Sequence, residues 1–145
     1  MRTGNQQRER GEMSNAVEII IKVGSLAPVE FSLNWRGHWS KRYKAGQQFK
    51  KDVYYSALET KSGLSEEVLS SLPLPYAELS LLFVVKEERI RDVDNWIARF
   101  KSGQDSLADA GIIQADDRKH LTIKEVDFEV NKDKAPMTVI TIREV

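Results

Sequence analysis

The sequence predicts an α+β fold: one domain with a mixed β-sheet, two main helices packed on it and a C-terminal β-hairpin. Three observations predict it. Apolar residues alternate along 17–23 and again along 121–130, the period of a strand with one buried face. Residues 79–85 form an almost unbroken apolar run, as a strand buried on both faces would. Two further stretches, from about Ala45 to Lys61 and from 94 to 110, repeat apolar residues at the helical period. The order strand, strand, helix, strand, helix, strand, strand places both helices on one mixed sheet.

A length of 145 residues suits a single domain with one sizeable core. Apolar content of 41% and charged content of 30% are ordinary for a globular chain. There is no cysteine, which excludes disulfides and thiolate metal sites and agrees with a reducing, cytoplasmic setting. No apolar signal core opens the chain and no run approaches the ~18 residues of a membrane span, so no membrane partner is expected. The formal net charge is zero, so any basic surface for a polyanion must be local. Residues 1–15, rich in Gln, Arg, Gly and Asn without periodicity, read as a disordered tail before a domain over 16–145.

In chain order, Val17, Ile19, Ile21 and Val23 define the first strand, broken at Gly24-Ser25. Residues 28–33 read as a second short strand. Residues 34–44 then lead into the first helix, where Phe49, Val53 and Ala57 fall on one side. Between 36 and 51 stand Arg36, Lys41, Arg42, Lys44, Lys50 and Lys51 and no acidic residue, interleaved with Trp39, Tyr43 and Phe49. Cations with aromatics suit a phosphate backbone and exposed bases; aromatics at a helix start also serve as core or staple residues. His38 and His120 read as hydrogen-bonded structural residues. Residues 62–75, with Pro73 and Pro75, form a connector with one helical turn. After the strand 79–85 come Arg89 and Arg91, then the second helix, stopped at Gly111. Residues 121–130, with a break near Glu125, and 137–143 form the closing hairpin across the turn 131–136.

The chemistry concentrates in 91–117. The second helix opens on Asp92 and Asp94, one residue apart, and an Asp116-Asp117 pair follows it. At about 100° per residue, Trp96, Phe100 and Leu107 share the apolar stripe, while Asp94, Lys101 and Asp105 lie within about 40° on the opposite one. Singly, each feature has an ordinary reading: an N-cap, an i,i+4 pair, a solvated turn. Together, a D-x-D at a strand end and a D-D after the next helix can converge, and converging carboxylates repel unless a divalent cation neutralises them. Oxygen-only donors indicate Mg²⁺ or Mn²⁺ rather than Zn²⁺. An EF-hand is excluded, because Ile97 and Gly103 stand where that loop requires Gly and Glu.

The order Asp92-x-Asp94-Asn95, then Lys101-x-x-x-Asp105-x-Leu107, Ala110-Gly111 and Asp116-Asp117 resembles the RusA-type Holliday-junction resolvases of bacteria and their phages. The likeness covers the central stretch well and the flanks loosely. The step from Asn95 to Lys101 is longer than in the best-known member by about one helical turn. The step from Gly111 to the D-D pair is one residue longer, so either Asp116 or Asp117 is a candidate ligand; the family pattern favours Asp117. The resemblance implies a RusA-like endonuclease domain over 16–145 that cuts four-way DNA junctions with Mg²⁺, or Mn²⁺, and no small-molecule cofactor. Asp92, Asp94 and Asp117 would hold metal, and Lys101 would place a cation near the scissile phosphate. Asn95 and Asp105 would orient the ligands and Lys101. Arg36, Lys41, Arg42, Lys44, Arg89, Arg91 and Asn95 would contact DNA. Two symmetric nicks imply a homodimer. The alternatives are a non-catalytic branched or single-stranded DNA-binding module and a phosphotransfer enzyme on a small substrate; no P-loop supports the latter.

Overall fold

The computed structural model describes residues 16–145. The predicted tail over 1–15 lies outside the described residues. The elements are β1 (Glu18–Val23), α1 (Trp39–Ser62), α2 (Glu66–Leu69), β2 (Ala77–Val85), α3 (Val93–Lys101), α4 (Asp105–Asp109), β3 (Leu121–Val130) and β4 (Met137–Glu144). The fold is α+β, as the periodicities predict.

The four strands form one mixed sheet in the order β1-β4-β2-β3. β4 runs antiparallel to both β1 and β2, and β3 runs parallel to β2. The last two strands therefore reverse direction across the turn 131–136, as a hairpin does, but they do not pair with each other: β2 is inserted between them. The physical reason lies in β2 itself. Its core-facing residues Ala77, Leu79, Leu81, Phe83 and Val85 are all buried, and so is Val84 on the opposite face. Such a strand belongs inside the sheet with both edges paired, whereas charged β3 tolerates the edge. The break expected near Glu125 is a β-bulge, where the register shifts as Leu79 pairs with Ile123 and Ser80 with Glu125.

One face of the sheet is covered. Ile19, Ile21 and Val23 of β1, Ile140 and Ile142 of β4 and the inner residues of β2 meet Phe49, Val53 and Ala57 of α1 and Trp96, Phe100 and Leu107 from the second helical stretch. These are the apolar stripes the sequence marks. Phe83, Trp96 and Phe128 make an aromatic cluster, with Phe83 and Trp96 centroids 4.6 Å apart.

Three local expectations are corrected. The predicted strand over 28–33 is a single 3-10 turn, Val29–Phe31, following Pro28. The first helix begins at Trp39 rather than near Ala45, because the His38 imidazole caps it, accepting from the Ser40 amide at 3.1 Å. The helix expected over 94–110 is two helices, with Ser102, Gly103 and Gln104 in the break. Ser102 caps the end of α3 by donating to the Arg99 carbonyl at 2.8 Å. Gly103 then passes so close to Phe49 that a Cβ there would lie 2.7 Å from its ring. The stop at Gly111 is as expected, with the residue in the left-handed region at φ 79°.

Candidate functional site

The acidic stretch is held by its own backbone needs. Asp92 is the N-cap of α3; its carboxylate accepts from the Asp94 amide at 3.0 Å and from the Asn95 side chain at 3.3 Å. Asn95 in turn accepts from the Leu33 amide at 2.9 Å, tying the 32–34 loop to the start of α3. Asp94 points out, exposed, and its carboxylate makes no hydrogen bond among the described residues. The D-x-D-N motif is thus a cap, a free carboxylate and a tether within four residues.

Beside it lies a groove of about 560 Å³ whose lining includes Arg89, Arg91, Asp92, Asn95, Trp96 and Arg99. Arg91 donates to the carbonyls of Glu87 at 2.7 Å and Arg89 at 3.1 Å, so it stitches the loop leaving β2. Arg89 pairs with Glu87. Arg99, which the sequence pattern does not single out, is the firmest cation here. Its guanidinium gives two hydrogen bonds to the Ala27 carbonyl, at 2.7 and 3.0 Å, and lies 3.6 Å from the Trp96 ring centroid. Burial lowers its pKa to about 10, still charged at neutral pH. Arg99 locks the 27–33 segment onto α3.

A second recess, of about 440 Å³, opens between α1 and the α3–α4 break. Its lining includes Tyr43, Lys50, Lys101, Asp105 and Asp116. The ion pair expected between Lys101 and Asp105 is not formed. The helix break turns Asp105 toward α1, where one oxygen meets Lys50 at 3.5 Å and the other is buried with no hydrogen-bond partner among the described residues. Gln104, nearly buried, donates to the Asp116 carbonyl at 3.1 Å and so fixes that segment. Gln104 is a positioning residue with no sequence signal of its own.

The D-D pair divides its labour. Asp116 lines the recess with Lys101 and Asp105. Asp117 is not part of that lining and caps the turn into β3, accepting from the amides of Lys119 at 2.9 Å and His120 at 3.2 Å and bonding His120 Nδ1 at 2.8 Å. The hydrogen bond with His120 holds the Asp117 carboxyl below the ordinary aspartate range. His120 is also stacked on Tyr76, with centroids 5.9 Å apart. Among the described residues no three His, Asp or Glu side chains are gathered to hold a metal ion. Asp92 and Asp94 stand together at the start of α3, Asp116 stands in the recess, and Asp117 stands outside it.

The basic segment is a surface feature. Arg36, Lys41, Arg42 and Lys44 are exposed, and Arg42 lies 4.5 Å over the Phe31 ring. The aromatics separate by role. Phe49 is core, whereas Trp39 and Tyr43 are among the exposed large side chains. Among the described residues no helix is long and apolar enough to cross a membrane.

No protein-family model matches the chain. A protein of Xylella fastidiosa (strain Temecula1 / ATCC 700964), described only as uncharacterized, is 33% identical over 116 residues, covering 78% of this chain and 69% of the relative.

Proposed function

We propose that this chain, which belongs to the family of that Xylella fastidiosa protein, is a Mg²⁺-dependent endodeoxyribonuclease that nicks branched DNA, four-way junctions above all, as a homodimer. The observation that carries the reading is the recess: Lys101, Asp105 and Asp116, three residues of the RusA-like pattern, line it together beside an exposed helix start rich in cations and aromatics. A cytoplasmic location goes with this reading.

The donor set fits the metal in one form only. Mg²⁺ is commonly held by one or two carboxylates, with water and substrate phosphate oxygens completing its octahedron. Asp94 has a free carboxylate, and Asp92 keeps lone pairs beyond its two capping bonds. That pair suits an ion shared with a phosphate. A closed cage of Asp92, Asp94 and Asp117 does not fit, because Asp117 is engaged by its turn and His120. Asp116 is the member of the pair in the recess. When bound, the ion lowers the pKa of a coordinated water and neutralises charge on the leaving oxygen. Lys101 supplies a cation for the phosphate. Asp105 restrains Lys50, and Asn95 restrains Asp92. Arg36, Lys41, Arg42 and Lys44 grip backbone phosphates, with Arg89 and Arg91 at the other groove.

The test is a labelled four-way junction beside linear duplex in Mg²⁺. Wild type is expected to nick the junction in preference to duplex. Asp94→Asn is expected to lower nicking by at least about 10²-fold, the scale of losing one preorganised transition-state contact, with junction affinity kept. A second reading, a non-catalytic branched or single-stranded DNA-binding module, is favoured by the capping roles of Asp92 and Asp117. Tight junction binding by a wild type that never nicks would select it.

A further inference from the structure

The helices pack on one face of the sheet and leave the other without a helical layer among the described residues. Yet β2 is apolar on both sides. Besides its inner residues it places Leu82 and Val84 outward, with Val139 and Met137 of β4 paired beside them. Ile20 of β1, on the same outer face, is 51% exposed. The charges of this face sort by strand. Glu18 holds Arg143 at 2.7 Å, Lys124 meets Glu78 at 3.8 Å and Lys134 meets Glu129 at 3.5 Å, so these groups are balanced within the chain. Three exposed groups have no ion-pair partner among the described residues: Lys22 on the edge strand β1, and Glu125 and Asp127 on the other edge strand, β3. The strand register places Lys22, Val139, Leu82 and Asp127 in one row across β1, β4, β2 and β3. The row is cationic at one end, apolar in the middle and anionic at the other.

We propose that this open face packs on the same face of a second copy of the chain, related by a two-fold axis that runs along the strands between β4 and β2. Such an axis lays the row on its own reverse. Val139 meets the partner's Leu82 and Lys22 meets the partner's Asp127, and each contact is made twice. The neighbouring rows agree: Met137 falls on the partner's Val84, and Arg143 on the partner's Glu78. Ile20 falls beside the partner's Glu125 at the rim, where the carboxylate keeps its water. An axis across the strands would instead set β3 on β3 and bring Glu125, Asp127 and Glu129 against their own copies, which like charges oppose. Two sheets packed in the favoured way lie about 10 Å apart with strands within about 30° of aligned, as in a β-sandwich. The apolar centre supplies the attraction and the edge charges select the orientation. This rests on the homodimer in the function proposed above and gives it a surface. The helices of each copy, and the recess among them, are left facing outward.

The experiment is sedimentation equilibrium of the full chain over a concentration series, without DNA or metal. Wild type is expected to dimerise. Lys22→Glu and Asp127→Lys are each expected to raise the dimer dissociation constant about tenfold, because two pairs per dimer turn from attraction to repulsion. The combined variant, which exchanges the two charges, is expected to return within about twofold of wild type. Leu82→Lys, at the apolar centre, is expected to raise the constant by about 10²-fold or more. Circular dichroism checks that each variant is folded; both charge reversals lie at exposed positions, so the test stands even if Leu82→Lys unfolds. A wild type that stays monomeric throughout would overturn the proposal. So would a dimer indifferent to both charge reversals, or a combined variant no tighter than the single ones. Junction nicking in Mg²⁺ is scored separately. A dimer that uses this face and never nicks removes the nuclease and leaves the interface; nicking by a dimer indifferent to these substitutions removes the interface and leaves the nuclease.

Discussion

Asp117 shows how a residue drawn to attention by charge can be occupied by local structure. Its carboxylate satisfies two amides at the entry to β3 and bonds the His120 ring. The folded-state pKa is depressed, so the stabilising effect of this cap is complete above the ordinary aspartate pKa and is lost as pH falls through the depressed value. A ¹³C carboxyl NMR titration is expected to place the Asp117 midpoint below the ordinary aspartate value, and His120→Ala to move it upward. An unmoved midpoint in that variant would assign the depression to the two amides instead. The identity and spacing of these aspartates were legible in the sequence, but their partners were not. Asp105 looks like a partner of Lys101 on a helical wheel, yet it pairs with Lys50 across to α1, because the wheel assumes a continuous helix. Arg99 and Gln104 carry no motif, since their partners are the backbone carbonyls of Ala27 and Asp116, distant in sequence.

At the scale of elements, the break between α3 and α4 determines the site. Without it Asp105 would remain on the stripe of Asp94 and Lys101 and the recess would not open toward α1. Gly103 makes the close approach possible: a Cβ there would lie 2.7 Å from the Phe49 ring and 3.2 Å from Val53. Gly103→Ala is expected to destabilise the fold by about 1–3 kcal/mol, as overpacking does, read as a shift in denaturation midpoint. Gly24→Ala, with nothing within 4 Å of the added carbon, is the control and is expected to stay within about 0.5 kcal/mol of wild type. A Gly103→Ala protein as stable as the control would mean that α4 shifts freely and that the recess is not fixed by this contact. The helix starts were the least legible boundaries. The His38 cap on α1 is an uncommon choice of residue, and Pro28 before a 3-10 turn reads equally well as a strand edge.

At the scale of the molecule, the recess lies on the helical side of a four-stranded sheet, and the proposed pair of symmetric nicks in a junction would call for two copies of it. Sedimentation at the concentrations used for junction cleavage is therefore expected to give twice the 16.6 kDa chain mass. A monomer at those concentrations would predict single, uncoupled nicks. The opposite sheet face is mixed rather than polar. Ile20 is half exposed, and Leu82 and Val139 are only partly covered and paired in register, with Arg143 and Glu18 joined at 2.7 Å beside them.

The sequence by itself determined the fold class, the strands β1, β2, β3 and β4, the buried stripes of the helices and the residue types of the candidate site. These depend on periodicity and on local chemistry, which act between near neighbours in the chain. Tertiary structure alone decided that β2 would separate β3 from β4, that the second helix would break at Gly103, and that Asp116 rather than Asp117 would face the recess. Each of those outcomes is settled by a contact between distant segments: the pairing of both edges of β2, the packing of Gly103 on Phe49, and the hydrogen bond from Gln104 to the Asp116 carbonyl. A one-dimensional pattern has no term for such contacts.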